Sequence, residues 1–159
     1  MDRRTFLKTA AAGSAAVVFS GAAFAADRYF PTQVNQALFE GINRVKDPAI
    51  KTGLEKSHVP VLNAPASVKA GEPFNVEIDV GETLHPMLPT HWIEFIELRI
   101  GNEPAGRADL QANGYVKPKV VFTVVIPKEA APSGKVTLIG RQHCNLHGLW
   151  EGSLDIAVS

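Results

Sequence analysis

An all-β fold, an immunoglobulin-like antiparallel β-sandwich with a short helical N-terminal extension, is what this 159-residue sequence predicts. Three observations carry that prediction. From Val59 onward the chain runs in short apolar or β-branched stretches separated by turn residues, at the spacing expected of a seven- or eight-stranded sandwich. Phe74, Val76, Ile78 and Val80 alternate with Asn75, Glu77 and Asp79, as a strand buried on one face requires. The 13 glycines and 11 prolines interrupt the chain too often for a helical bundle, while 45% hydrophobic residues suffice for one core.

The N-terminus reads as an address. Asp2-Arg3-Arg4-Thr5-Phe6-Leu7-Lys8 precedes an uncharged run, Thr9 to Ala26, of Ala, Val, Gly and Ser, which resembles a twin-arginine export signal. Small residues at Ala23 and Ala25 predict cleavage before Ala26, making residues 1–25 the signal. The run is short and rich in Ala and Gly, which favours removal over an uncleaved anchor. A periplasmic or otherwise exported protein, with no stable membrane association after cleavage, is the expectation. Sixteen basic and sixteen acidic side chains balance in the full chain. The signal removes three positive charges and one negative, so the mature chain is slightly acidic, and nucleic-acid binding is not expected.

Residues 26–53 are predicted as an extension to the main domain. Val34, Leu38, Ile42 and Val45 recur at helical intervals, so a short helix is expected between Pro31 and Val45, ending at Lys46-Asp47-Pro48. Ala49 to Gly53 reads as a linker. In Leu54-Glu55-Lys56-Ser57-His58-Val59, Glu55 and Lys56 read alone as a solvated charge pair, and His58 as a partly exposed residue beside a strand.

The predicted domain, residues 54–159, takes its strands in order: Val59 to Asn63, Ala66 to Lys69, Phe74 to Val80, Trp92 to Ile100, Arg107 to Gln111, Val120 to Ile126, Val136 to Arg141 and Leu154 to Val158. Gly71-Glu72-Pro73, Gly81-Glu82, Gly101-Asn102-Glu103-Pro104, Asn113-Gly114 and Pro132-Ser133-Gly134 supply the turns.

Chemistry concentrates in the connections. Cys144 is the only cysteine, which excludes an internal disulfide and any four-cysteine metal centre within the monomer. In Cys144-Asn145-Leu146-His147-Gly148 the backbone can turn so that thiolate and imidazole meet one cation. Alone, such a pair is better read as a buried free cysteine beside a surface histidine. His85 and His91 sit six apart in a loop stiffened by Pro86 and Pro89, where little entropy is lost on ligand binding. His143, adjacent to Cys144 on an extended segment, should face the other way. Met87 is read as packing. Asn145, Leu146 and Trp150 are expected to support the thiolate, and Trp92 to pack beside His91.

The ordered set of Glu55-Lys56 near His58-Val59-Pro60, His85-Pro86 with His91 and Ile96-Glu97-Leu98, and Cys144-Asn145-Leu146-His147-Gly148-Leu149-Trp150 closely resembles the superoxide reductase family, the desulfoferrodoxins and neelaredoxins. The resemblance covers roughly residues 54 to 159. It implies one iron ion per chain, cycling between ferrous and ferric, with His58, His85, His91 and His147 equatorial, Cys144 axial, and a sixth position open to superoxide. It further implies that superoxide is reduced to hydrogen peroxide, that Lys56 holds positive charge near the open position, and that Glu55 ligates the oxidised iron. Ser57 stands between Lys56 and His58 where the family has lysine directly before histidine. Electrons are expected from an external donor, rubredoxin-like or another periplasmic carrier, and a homodimer or homotetramer is the family expectation. Two rivals fit less well. A cupredoxin-like electron carrier would want a methionine after His147, and none follows. A non-catalytic sulfur-carrier sandwich would want its cysteine on a mobile tail, and Cys144 is internal.

Overall fold

The structure, a computed structural model, describes residues 35–159. The predicted export signal, its predicted cleavage before Ala26 and the first part of the predicted helix lie outside the described residues. Among those described, no helix is long and apolar enough to cross a membrane.

Among the described residues nine strands form two sheets. The larger contains β1 (Ile42–Asn43), β9 (Gly148–Val158), β8 (Lys135–Cys144), β5 (Ile93–Ile100) and β6 (Glu103–Asp109) in that order, with β3 (Ser67–Val68) also paired to β9. The smaller is β2 (Pro60–Asn63), β4 (Pro73–Val80) and β7 (Lys119–Val125). The long strands pair antiparallel, as expected, while the two-residue strands β1 and β3 lie parallel to β9.

The alternation in β4 is realised: Val76, Ile78 and Val80 are buried. They meet Ile93, Ile96 and Leu98 of β5 and Leu138 of β8 in one core. Truncating a fully buried residue such as Leu98 to alanine should cost about 2–5 kcal/mol. Strand β2 crosses the larger sheet over a glycine pair, Gly140 opposite Gly152. A Cβ on Gly152 would lie 2.1 Å from the Pro60 carbonyl oxygen, so glycine is what lets β2 approach.

Several elements depart from the sequence expectation. The described part of the Pro31–Val45 stripe holds only a four-residue 3-10 helix, Gln36–Phe39, and Ile42 then enters β1 against Leu149. The exposed edge of β9 supplies backbone partners there, which a single apolar stripe does not outweigh. Residues 53–58, expected as linker and strand approach, form the helix α1 (Gly53–His58). Its start is a capping box: the Thr52 hydroxyl accepts from the Glu55 N–H at 3.2 Å, and Glu55 accepts from the Thr52 N–H at 2.7 Å. β6 starts at Glu103, so the turn before it is shorter than predicted. β8 and β9 extend to Cys144 and from Gly148, leaving three residues between them.

Candidate metal centre

The turn between β8 and β9 carries the thiol. Cys144 pairs with Gly148 across the hairpin, so Asn145-Leu146-His147 is the whole loop. The His147 N–H donates to the Cys144 carbonyl at 3.3 Å. Gly148 has φ of 70°, and a Cβ there would fall 2.1 Å from the Leu38 carbonyl oxygen, so both the turn and the contact with the N-terminal segment demand glycine.

His85 and His91 lie on the β4–β5 connection. Leu88 and His91 exchange two backbone hydrogen bonds around Pro89-Thr90, at 2.8 and 3.2 Å, making a tight reversal that sets His91. Asn145 joins this loop to the hairpin on both sides of His91. Its Oδ1 accepts from the Trp92 N–H at 2.9 Å, its Nδ2 donates to the Thr90 carbonyl at 3.0 Å, and its own N–H donates to the Trp92 carbonyl at 3.2 Å.

His58 arrives from the small helix. It is the last residue of α1, not of a strand, and only 2% exposed. Its Nδ1–H donates to the Leu54 carbonyl at 2.9 Å, with the Ser57 hydroxyl oxygen equally near. The Trp150 ring lies 5.3 Å from the His58 ring, and Trp150 Nε1–H donates to the His147 carbonyl at 2.8 Å.

The four imidazoles form a square. Ring centroids are 4.6 Å apart for His85 and His58, 4.5 Å for His58 and His147, 4.8 Å for His147 and His91, and 4.6 Å for His91 and His85. Across the square His58 and His91 are 6.1 Å apart. Inside it, His85 Nε2 is 3.1 Å from His58 Nε2, and His147 Nδ1 is 2.9 Å from His58 Nε2 and 3.2 Å from His91 Nε2. Cys144 Sγ lies 3.4 Å from the same His147 Nδ1. The five donor atoms all lie within 4.8 Å of one another.

These contacts fit a cation better than hydrogen bonds. His58 and His85 both donate Nδ1–H to a backbone carbonyl, His85 to Pro86 at 2.7 Å, so both Nε2 atoms carry lone pairs, and those lone pairs face each other. One nitrogen of His147 cannot serve three partners as one donor or acceptor. Adjacent ligands around a metal with bonds of about 2.1 Å sit about 3 Å apart, the spacing seen. The Nδ1–H to carbonyl bonds are also how metal-bound histidines are usually oriented.

Electrostatics agree with a site built for a cation. Burial lowers His58 to about 4 and His85 to about 3, and also lowers His91 and His147, so all four are neutral near pH 7 and can offer a lone pair. Burial pushes the Cys144 thiol up to about 11, a cost that a bound cation reverses by deprotonating it. Zinc, usually tetrahedral, would leave one of the five donors unused, whereas iron accepts imidazoles together with a thiolate.

The other predicted residues sit elsewhere. Glu55 is buried and outside the five-donor group. Its Oε2 accepts from the Thr52 N–H and hydroxyl, and its Oε1 from the Lys46 N–H at 3.0 Å, bonds that hold its carboxyl below the usual range. Lys56 is exposed on α1. His143 faces away from the centre, as expected. A bulge in β5 sets Glu94 against it, Nδ1 donating at 2.6 Å, and its ring stacks 5.7 Å from Phe95. Met87 is buried in the core, its sulfur accepting from the Ile93 N–H. Trp150 lies against His58 of the five-donor group, while Trp92 packs on the core. Sequence reasoning missed the Thr52 cap, although Thr52-Gly53-Leu54-Glu55 is a legible capping box. It also missed the clamp of Asn145 on the second loop, for which no sequence signal exists.

Comparison with known proteins agrees with this geometry. The family profile described as Desulfoferrodoxin matches residues 50–153, and that of the twin-arginine translocation pathway signal sequence matches residues 1–20. A putative superoxide reductase of Methanocaldococcus jannaschii is 37% identical over 116 residues, 73% of this chain and 93% of its own length. A superoxide reductase of Pyrococcus abyssi is 33% identical over 118 residues, 67% of this chain and 95% of its own. Among solved structures, superoxide reductase (neelaredoxin) from Ignicoccus hospitalis superposes with a TM-score of 0.62 at 33% identity, covering 80% of this chain and 100% of that one.

Proposed function

The chain belongs to the desulfoferrodoxin family, and from that premise we propose that it holds one iron ion among His58, His85, His91, His147 and Cys144. Its reaction is that of a superoxide reductase: superoxide takes up one electron and two protons and leaves as hydrogen peroxide. The observation that carries the reading is the square of four neutral imidazoles with one buried sulfur beside it. When bound, iron supplies the single electron, and a thiolate ligand makes that electron easier to give.

The chain's own residues prepare that chemistry. The four histidines and Cys144 would hold the ion, with carbonyl-bound Nδ1 atoms fixing His58 and His85. Lys56 draws the anion by local charge, since the mature chain, left slightly acidic by loss of the signal, does not attract it as a whole. Glu55 acts first as the cap of α1, and ligating the oxidised metal would require it to give up its bonds to Thr52 and Lys46. Residues 1–25 direct export into the periplasm and are removed before Ala26; residues 26–53 form an extension to the domain of residues 54–159. An external electron carrier, rubredoxin-like or otherwise, would be the source of each electron, and the protein acts as a homodimer or homotetramer.

The test is to purify the exported protein, measure its metal and record its oxidised spectrum. One iron per chain and a thiolate-to-ferric band that Cys144→Ser abolishes are expected. Stoichiometric zinc without such a band would overturn the assignment. In the same preparation Lys56→Ala should slow the reaction with superoxide more at low ionic strength than at high, and equal slowing at both would remove its steering role.

A further inference from the structure

Gln142 is fully buried, yet half of its amide is idle. Its Nε2 donates to the His58 carbonyl at 2.9 Å. Its Oε1 is the only buried side-chain nitrogen or oxygen without a hydrogen-bond partner among the described residues. An apolar side chain would suit this slot, since Gln142 pairs with Ile96 on one side and Trp150 on the other. An orphaned acceptor is destabilising, so the amide is retained against packing, and its donor must matter.

What that donor holds is the end of α1. The last carbonyls of a helix have no partner within the helix, and His58 is the last residue of this one. Gln142 and Cys144 stand two apart on β8, both fully buried and on the same face of the strand. One strand, clamped between β5 and β9, therefore carries both the sulfur and the group that grips the backbone of His58.

We propose that Gln142 is a positioning residue of the metal centre, fixing His58 relative to Cys144 by holding the carbonyl that ends α1. The proposal rests on the five residues forming one centre, and not on which metal or substrate is native. The His58 ring is otherwise held by its own helix through Leu54 and by Trp150. Neither ties the His58 backbone to β8. The Thr83 and Gly81 N–H groups donate to the Lys56 and Val59 carbonyls and tie this end of α1 to the β4–β5 connection, so losing the Gln142 bond removes the hydrogen bond that sets His58 against the strand of Cys144.

Cobalt(II)-loaded full-length protein separates this role from a merely structural one, because its visible bands report ligand geometry without any turnover. Gln142→Met fills the slot and removes both the donor and the idle acceptor. It should leave the apoprotein melting within a few degrees of the wild type, shift the cobalt bands, and release metal to a chelator about tenfold faster, within the range that outer-shell partners command. Gln142→Asn keeps an amide that is one methylene too short to reach, and should behave likewise if Gln142→Met does not fold. Wild-type bands and release rates in both variants would overturn the proposal. A wild type with no cobalt band dependent on Cys144 would instead overturn the metal-centre reading, and this inference with it.

Discussion

The two ends of the five-donor group are built differently. Cys144 ends β8 and His147 ends the three-residue turn that follows it, between two long strands held by continuous ladder bonds. His58 sits at the end of a six-residue helix, too short to be stable alone. The hairpin keeps its shape by local pairing, and the helix by its cap and by what it touches. A centre assembled this way has a rigid half and a half whose accuracy depends on long-range ties.

The largest effect should come from breaking the rigid half. Gly148→Ala places a methyl group on the Leu38 carbonyl at a positive φ, so chemical denaturation should show a loss of more than about 2 kcal/mol and weak metal retention. A near-wild-type midpoint would mean that residues 38–43 move aside freely. Next comes the joint between the two histidine loops. Asn145→Ala removes the bonds to Thr90 and Trp92 that frame His91, and metal affinity in a competition titration should fall about 10–100-fold. The flexible half should respond more mildly: Thr52→Ala removes one cap worth about 1 kcal/mol, read as a small drop in melting temperature. If Thr52→Ala proved as damaging as Gly148→Ala, the contrast between the halves would collapse.

The apoprotein should show the same contrast in pH. His58 and His85 titrate near 4 and 3 in the fold against about 6.5 unfolded, so the unfolded chain binds more protons between those values. Stability is therefore full above about pH 6.5 and falls as pH drops through 6.5 toward 3. The Cys144 thiol, at about 11 against 9, ionises first in the unfolded chain, so stability also falls as pH rises above 9. Denaturation midpoints of metal-free protein across pH 4 to 10 should trace this plateau; a flat profile at the acid end would show that the histidines are solvated without metal.

Much of the sandwich was legible because strand alternation and turn residues are local signals. Phe74 to Val80 could hardly be anything but a half-buried strand, and the eight strand positions from Val59 onward were recovered with shifted ends. The described part of the N-terminal stripe was misread because β9 offered an open edge, a partner no residue pattern announces. The five residues that cluster were visible as residue types and, through family resemblance, as a set. The Cys144–His147 pair alone favoured the blander reading.

What the sequence by itself determined is the inventory: one thiol, five histidines, the turns that place four of them in connections or beside strand ends, and the export signal. What the tertiary structure alone decided is which atoms face inward. The Nδ1 bonds of His58 and His85, the clamp of Asn145 and the grip of Gln142 on His58 all join residues through backbone groups of other residues. A backbone carbonyl is present at every position, so its use leaves no mark on the sequence. Only the folded register selects the one that is used.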